Sequence, residues 1–391
     1  MRQAVCAVLT LIMAGPAMPQ ATADSSAYPS RVHHRSGLEL AGAAPGALVY
    51  LPAQLVGYGA RQTARLLYEE RTIYRLKQAL TFADGRVGGR PLAGSLNGMG
   101  ARMFIHQIAG RVDVDLTSTL GASGRTRQNH LLTISSGGPR VFSAYYRSEP
   151  KEAFYGVGND LAEADKTNFR QRDIYLQVTS RRSLAERVFL DWDANWHRTE
   201  IEAGGSDSSP STTDVYSPDT LPGLADKIDF FEVGLTFGGA FVDVPGSPTR
   251  GNRSRLRLSY RQSVDDDEFS HLQAGFVTEQ FLELFYRRTV SLALGADWRA
   301  IPFGKQIPFY DLAALGGTEI LRGYKRGRFR DRGITYAVGT YKFPVWQLIE
   351  GSLFYETGRT YHEIKDLTLA DWSASFGGGL RVWVPRGVVF E

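Results

Sequence analysis

From Gly100 to the end, the chain follows one rule: apolar and polar side chains alternate, and the connections between the alternating runs are by turns short and long. Val188, Leu190, Trp192, Ala194 and Trp196 stand against Phe189, Asp191, Asp193, Asn195 and His197. Val112, Val114 and Leu116 oppose Asp113, Asp115 and Thr117. Leu256, Leu258 and Tyr260 oppose Arg255, Arg257, Ser259 and Arg261, and Val290, Leu292, Leu294 and Trp298 oppose Ser291 and Asp297. A period of two puts successive side chains on opposite faces of a strand. Alternation alone suits a soluble sandwich as well as a membrane barrel, but connection length separates them. Short connections near 137–139, 181–185, 286–289, 344–348 and 384–387 alternate with long ones near 148–170, 199–227, 263–270, 300–332 and 358–372, with 241–252 a longer member of the short set. Transmembrane barrels have short periplasmic turns and long external loops, and a sandwich has no reason for that parity.

The start of the chain fits export. Arg2 precedes an apolar core from Ala4 to Met13, and Ala21-Thr22-Ala23 offers a small-x-small cleavage site, so 1–23 reads as a signal peptide. No later run reaches the ~18 uninterrupted apolar residues that a membrane-spanning helix needs. The single cysteine, Cys6, lies in the signal, which excludes disulfides from the mature chain. Without Arg2 the chain carries 44 basic and 41 acidic residues, a balance that gives no reason to invoke nucleic acid. With 42 glycines, 12% aromatic residues and a mean hydropathy of −0.23, it is too polar for a helical membrane protein and suits a barrel with a wet interior.

Residues 24–85 read as a periplasmic lead-in. Within it Pro52 opens a helical spacing with Leu55, Gln62, Leu66, Ile73 and Leu80 near one stripe. This predicts a short amphipathic helix that docks on, or plugs, the barrel mouth or packs against its rim. Residues 86–391 then form an all-β, transmembrane antiparallel β-barrel, its first strand near Arg90 to Asn97 and the Arg322 loop after the eleventh strand. About 16 strands are expected in a complete barrel and 14 or 15 here, because the chain stops at Glu391 where a final strand and terminal aromatic residue are expected.

Between two strand-like runs lies Leu315-Gly316-Gly317-Thr318-Glu319-Ile320-Leu321-Arg322-Gly323-Tyr324-Lys325-Arg326-Gly327-Arg328-Phe329-Arg330-Asp331, a cationic, glycine-rich loop. Its Leu-Arg-Gly-Tyr core resembles the sixth-loop motif of the BamA/TamA, or bacterial surface antigen, family of outer-membrane barrels. Phe354-Tyr355-Glu356-Thr357-Gly358 is similar to the family's partner motif, Phe-x-Asp-x-Gly, with glutamate for aspartate. Phe154-Tyr155-Gly156-Val157-Gly158-Asn159 resembles a loop signature of the same barrels. The resemblance implies a lumenal lock in which Arg322 pairs with Glu356, with Gly323, Tyr324, Phe354 and Gly358 around them. Leu353 and Tyr355 are the apolar members of their strand, which independently turns Glu356 inward. Lys325, Arg326, Arg328 and Arg330 are expected to meet the inward acids Asp113, Asp115, Asp191, Asp193 and Asp297, or else to lie at the cell surface near lipopolysaccharide.

The family commonly carries periplasmic POTRA repeats, and 24–85 is too short for one βααββ unit, so the resemblance implies a stand-alone barrel in the bacterial outer membrane. It implies assistance to insertion or translocation of other proteins, with outer-membrane lipid, lipopolysaccharide and client outer-membrane or secreted polypeptides as partners. The alternative is a passive channel or surface-exposed structural barrel. No cofactor or metal is expected. The seven histidines are scattered apart from His33-His34, Asp265-Asp266-Asp267-Glu268 lacks the spacing of a calcium loop, and neither a Gly-x-Ser-x-Gly elbow nor a phosphate loop occurs. The chain is not expected to be an enzyme. Ser206 to Thr220 reads as a disordered exterior loop.

Overall fold

The computed structural model describes residues 80–94, 98–108, 110–121, 127–204, 209–264, 268–284, 288–302, 304–346, 349–384 and 387–390. The signal peptide, the helix begun at Pro52, His33-His34 and Asp265 to Asp267 lie outside them. Two compact units divide at Gly88 and Gly89. In the first, the two-residue strand β1 (Thr81–Phe82) turns through Ala83–Gly85 and pairs antiparallel with the start of β2 (Val87–Gly94).

The second unit is an antiparallel meander. Its strands are β3 (Gly98–Ile108), β4 (Val112–Leu120), β5 (Gln128–Ser135), β6 (Arg140–Phe154), β7 (Thr167–Ala185), β8 (Val188–Ala203), β9 (Lys227–Val242), β10 (Gly251–Ser263), β11 (His271–Glu283) and β12 (Thr289–Ala300). They continue as β13 (Ala313–Leu315), β14 (Phe329–Asp331), β15 (Gly333–Trp346), β16 (Ile349–Tyr361), β17 (Ser373–Val384) and β18 (Gly387–Phe390). One sheet of 16 strands takes β1 to β12 and β15 to β18 in chain order, leaving out only β13 and β14, which pair with each other. The expected parity holds, and the Arg322 loop follows β12, the eleventh strand counted from β2. The two-residue β1 brings the sheet to 16 strands, against 14 or 15 expected, because so short a run carries no alternation to read.

The alternation sorts two surfaces. Leu256, Leu258, Leu292, Leu294, Leu353 and Tyr355 are exposed on the outer face, while Ser259, Ser291 and Glu356 on the neighbouring positions are buried. The outer face is apolar because lipid offers no hydrogen bonds to side chains, and the lumenal face can be polar because its groups pair with one another. Aromatic side chains mark the long-loop edge of the outer face. Trp298 and Tyr361 stack at 5.5 Å and 11°, and the Arg332 guanidinium lies 5.2 Å from the Trp298 ring.

At the long-loop end the connections build their own core. Phe154, Phe169, Ile201, Leu221, Leu224, Ile228, Phe230, Phe269, Phe309 and Tyr310 bury one another. This corrects the disorder expected for Ser206 to Thr220. In its described part, α1 (Thr212–Val215) is ordered, Thr212 is fully buried, and Thr167 and Thr212 share a hydroxyl hydrogen bond of 2.9 Å. Asn168 N donates to the Pro210 carbonyl at 3.0 Å, and Leu221 and Leu224, just beyond the polar stretch, anchor it in the apolar core. Composition read over the polar stretch alone misses those two leucines.

Face assignment gives a direct test. Leu258→Arg, in the middle of β10 on the outer face, should cost about 2–4 kcal/mol in urea unfolding from lipid vesicles. Thr179→Arg, opposite Asp193 on the lumenal face of β7, should cost far less. Equal losses would mean that the faces are assigned wrongly.

Candidate functional site

The connection between β12 and β15 folds back into the lumen. Ala313, Leu315, Leu321 and Phe329 bury themselves with Ile334, and Ile320, Tyr324 and Tyr336 pack against them. β13 and β14 tie the ends of the segment together, Leu315 facing Phe329 in register. Gly316 and Gly317, at φ of +102° and +124°, make the reversal that a side chain would strain.

Within the segment, Tyr324 N donates to the Leu321 carbonyl at 2.9 Å, closing a turn with Arg322 and Gly323 at its centre. Leu321 sits at φ +54° and is fully buried. A leucine in the left-handed region costs on the order of 1–3 kcal/mol, and here burial of its side chain offsets it. The turn aims two donors of Arg322 at one carboxylate. Its backbone N–H donates to Glu356 Oε2 at 2.7 Å and its Nε to Oε1 at 2.6 Å. Ser375 Oγ, from the neighbouring β17, donates to Oε2 at 2.9 Å. Glu356 is wholly buried, so these donors replace the water it has lost.

The remaining residues named by the motif surround this contact. The Arg322 guanidinium carbon lies 3.5 Å from the centre of the Phe354 ring. Gly323 passes so close to β17 that a Cβ would stand 2.9 Å from the Ser375 Cβ. Gly358 leaves room for Leu315, whose Cδ1 would lie 3.0 Å from an added Cβ. Tyr324 meets Phe329 edge to face at 5.0 Å.

A second strap comes from the Phe154 to Asn159 motif. Gly156 and Gly158 adopt φ of +107° and +114°, and Gly158 N donates to the Arg330 carbonyl at 2.8 Å. The Asn159 amide donates to the Thr360 carbonyl at 2.8 Å and accepts from Thr360 N at 3.0 Å. Arg328 lies 4.6 Å from the Tyr155 ring and donates to the Leu161 carbonyl.

The loop cations do not meet the strand aspartates expected for them. Lys325 pairs with Glu163, Arg328 approaches Glu163 at 3.8 Å, and Arg326 and Arg330 approach Glu152 at 3.6 and 3.7 Å. The aspartates are met within the sheet instead: Asp115 by Arg102, Asp191 by Arg181, Asp193 by Arg257 and Asp297 by Arg299, while Asp113 accepts from Gln107 N. Same-face arginines on the sheet lie nearer than a loop that stays at the long-loop end. Glu152 is available because the β6–β7 register shifts between Glu149 and Glu152, a bulge that period-two reading cannot foresee.

Below the loop, Asp311 accepts from Arg261 Nη1 at 2.6 Å, and Arg261 also donates to Glu232, which takes Arg257, which in turn holds Asp193. A chain of ion pairs thus ties the start of the loop to β10, β9 and β8. Arg257 and Arg261 were legible as same-face residues of β10, but nothing near Asp311 marked it as their partner. Beside them a polar lumenal cavity of about 620 Å³ is lined by Arg147, Asp173, Tyr175, Asn195, Glu232 and Arg261, among others.

The Asp311 pairing predicts a pH dependence. Burial pushes the Asp311 carboxyl up, but Arg261, His271 and His197 outweigh it and hold the group below the ordinary carboxylate value. A depressed native pKa gives stability that is present above the unfolded value of about 3.9 and lost as pH falls through the native one. Protease cleavage within 301–332 should therefore rise below about pH 4. Asp311→Asn should raise cleavage at neutral pH and flatten that acid limb; an unchanged acid limb in Asp311→Asn would rule the pairing out as its cause.

The Omp85 superfamily domain matches residues 135–389, a span that holds both β6 to β17 and the Arg322 loop. Among solved structures the chain resembles BamA from Haemophilus ducreyi lacking POTRA domains 1–3, at 13% identity and a TM-score of 0.52, over 77% of this chain and 64% of that one. It thus spans somewhat under two thirds of that chain. CdiB from Acinetobacter baumannii aligns at 10% identity and a TM-score of 0.47, over 76% of this chain and 51% of that one. No curated protein matches. With most of its sheet and both motif strands inside the matched span, the chain belongs to the Omp85 superfamily.

Proposed function

We propose that this barrel acts in the bacterial outer membrane to assist the insertion or translocation of other polypeptides. In this reading, Arg322, Gly323, Tyr324, Phe354, Glu356 and Gly358 form the lock that keeps the 301–332 loop in the lumen. The observation that carries it is the convergence of the Arg322 backbone and side chain on the buried Glu356, inside the family-matched span. Membrane lipid, lipopolysaccharide and client outer-membrane or secreted polypeptides are the partners proposed, without nucleic acid. The passive-channel alternative is disfavoured by the apolar cluster that the 301–332 loop buries against β15, on the side where Arg322 meets the inward Glu356. The proposal includes no catalytic step. Asp173, His197 and Thr199 come together, but Asp173 Oδ1 and Thr199 Oγ1 both meet His197 Nε2, whereas a proton relay needs the two ring nitrogens divided between base and nucleophile.

Two experiments test this. In a double-mutant cycle, Arg322→Ala and Glu356→Ala should each cost about 3 kcal/mol, at the low end for a broken buried pair because Arg322 is partly exposed. Their combination should be little worse than either alone, read as heat resistance and protease resistance of the loop. Additive losses would sink the lock. Liposomes carrying the protein should accelerate folding of a client barrel over protein-free liposomes, and planar bilayers should show little conductance until 316–327 is deleted. Steady large conductance of the intact protein, with no acceleration, would favour the passive channel.

A further inference from the structure

The connection between β16 and β17 differs from the other long loops. The loops at 209–226, 268–270 and 304–312 bury Leu221, Leu224, Phe269, Phe309 and Tyr310 in a shared core, whereas 362–372 exposes Ile364, Leu367 and Leu369, Leu369 at 95%. Its position is fixed by Arg359. That residue shares the outward face of β16 with Leu353 and Tyr355, and its Nη1 donates to Thr368 Oγ1 at 2.6 Å and to the Ala370 carbonyl, with Asp371 at 3.8 Å. Trp372 Nε1 adds a bond to the Thr368 carbonyl at 2.8 Å. Residues 368–371 therefore lie against the outer wall of the barrel, not over its lumen.

The level on the wall is readable. Tyr361, on the same face of β16 as Arg359 and Tyr355, is buried against the stacked Trp298 at the long-loop end of that face. Arg359 lies two residues toward the lipid from it, about 7 Å along the strand. Leu369 sits between two residues bound at that level and projects away from the wall. The outward surface continues from there into Phe376, 85% exposed and the register partner of Tyr355, and Leu380. The three apolar side chains stand among the exposed His362, Glu363, Lys365 and Asp371, an amphipathic mixture that fits the lipid–water boundary better than water alone.

We propose that 362–372 is a membrane anchor, clamped to the barrel by Arg359, that lays Leu369 with Ile364 and Leu367 among the acyl chains of the outer-leaflet lipid beside β16 and β17. It rests on the outer-membrane placement proposed above. The test uses the full chain with its one cysteine, Cys6, replaced by serine, and bimane attached to Leu369→Cys, Phe376→Cys or Val215→Cys after refolding into phosphatidylcholine vesicles with or without doxyl-labelled phosphatidylcholine. Val215 is also exposed but belongs to another long loop. The Leu369 probe should resemble the Phe376 probe, with a doxyl-to-iodide quenching ratio several-fold above that of Val215. Adding Arg359→Ala should move it toward the Val215 value. Iodide quenching as strong as at Val215, with Phe376 still quenched by lipid, overturns the anchor and leaves the barrel placement intact. Protection from both quenchers overturns it in favour of a protein, or a second copy, covering the loop. A Phe376 probe reached only by iodide overturns the placement and the anchor together. Should Leu369→Cys fail to refold, Leu367→Cys carries the same expectations.

Discussion

A carboxylate removed from water must be met by donors, and in this barrel the wholly buried Glu356 is met by a loop that begins more than 50 residues before it. Arg322 supplies a backbone N–H and a guanidinium N–H, and Ser375 supplies a hydroxyl from the next strand. Two of the three belong to the loop, so if it left the lumen only Ser375 would remain on Oε2 and Oε1 would be left without a donor. Strain at Leu321, the missing Cβ of Gly323 and Gly358, and the packing of Leu315 and Phe329 are all arranged so that this meeting occurs.

The loop is held at several points of different chemistry. Gly158 binds it through a backbone hydrogen bond to Arg330, Asn159 ties the Gly158 segment to Thr360 of β16, and Asp311 holds the start of the loop through Arg261 of β10. An apolar core of long-loop and strand-end residues, Phe309 and Tyr310 among them, lies next to Asp311. Such contacts are expected to couple, since loss of one relaxes the geometry of its neighbours, whereas the outward leucines contribute through lipid burial and remain independent of the lock.

How much of this was legible follows from the range of each signal. Alternation is a property of adjacent residues, so the faces of β4, β8, β10 and β12 could be read directly, and the inward direction of Glu356 followed from Leu353 and Tyr355. Loop parity is equally local and gave the order of the connections. Pairing across the lumen is not. The resemblance named Arg322 for Glu356, but nothing in sequence joined Arg261 to Asp311 or Arg330 to Glu152, because the first pair is decided by where a loop enters and the second by a bulge that shifts register. The loop cations were therefore matched to aspartates that adjacent strands already satisfy. The misread order of 209–220 has the same origin: its polar residues suggested solvent, while Leu221, Leu224 and the distant Phe309 supply its core.

The separation of surfaces bears on how such a loop can move at all. Every strand of the sheet keeps its backbone hydrogen bonds whether or not the lumen is filled, because the ladder runs between neighbours in chain order and only β13 and β14 stand apart. The barrel wall and the lumenal loop therefore draw on different interactions, the wall on ladder bonds and lipid burial and the loop on buried charge and a small apolar cluster. Loss of the second set need not disturb the first. A charge-based lock also releases abruptly: once Arg322 leaves, Glu356 is buried and underpaired, so intermediate positions of the loop carry the full desolvation cost without its compensation. Two arrangements, docked and released, are favoured over a continuum between them.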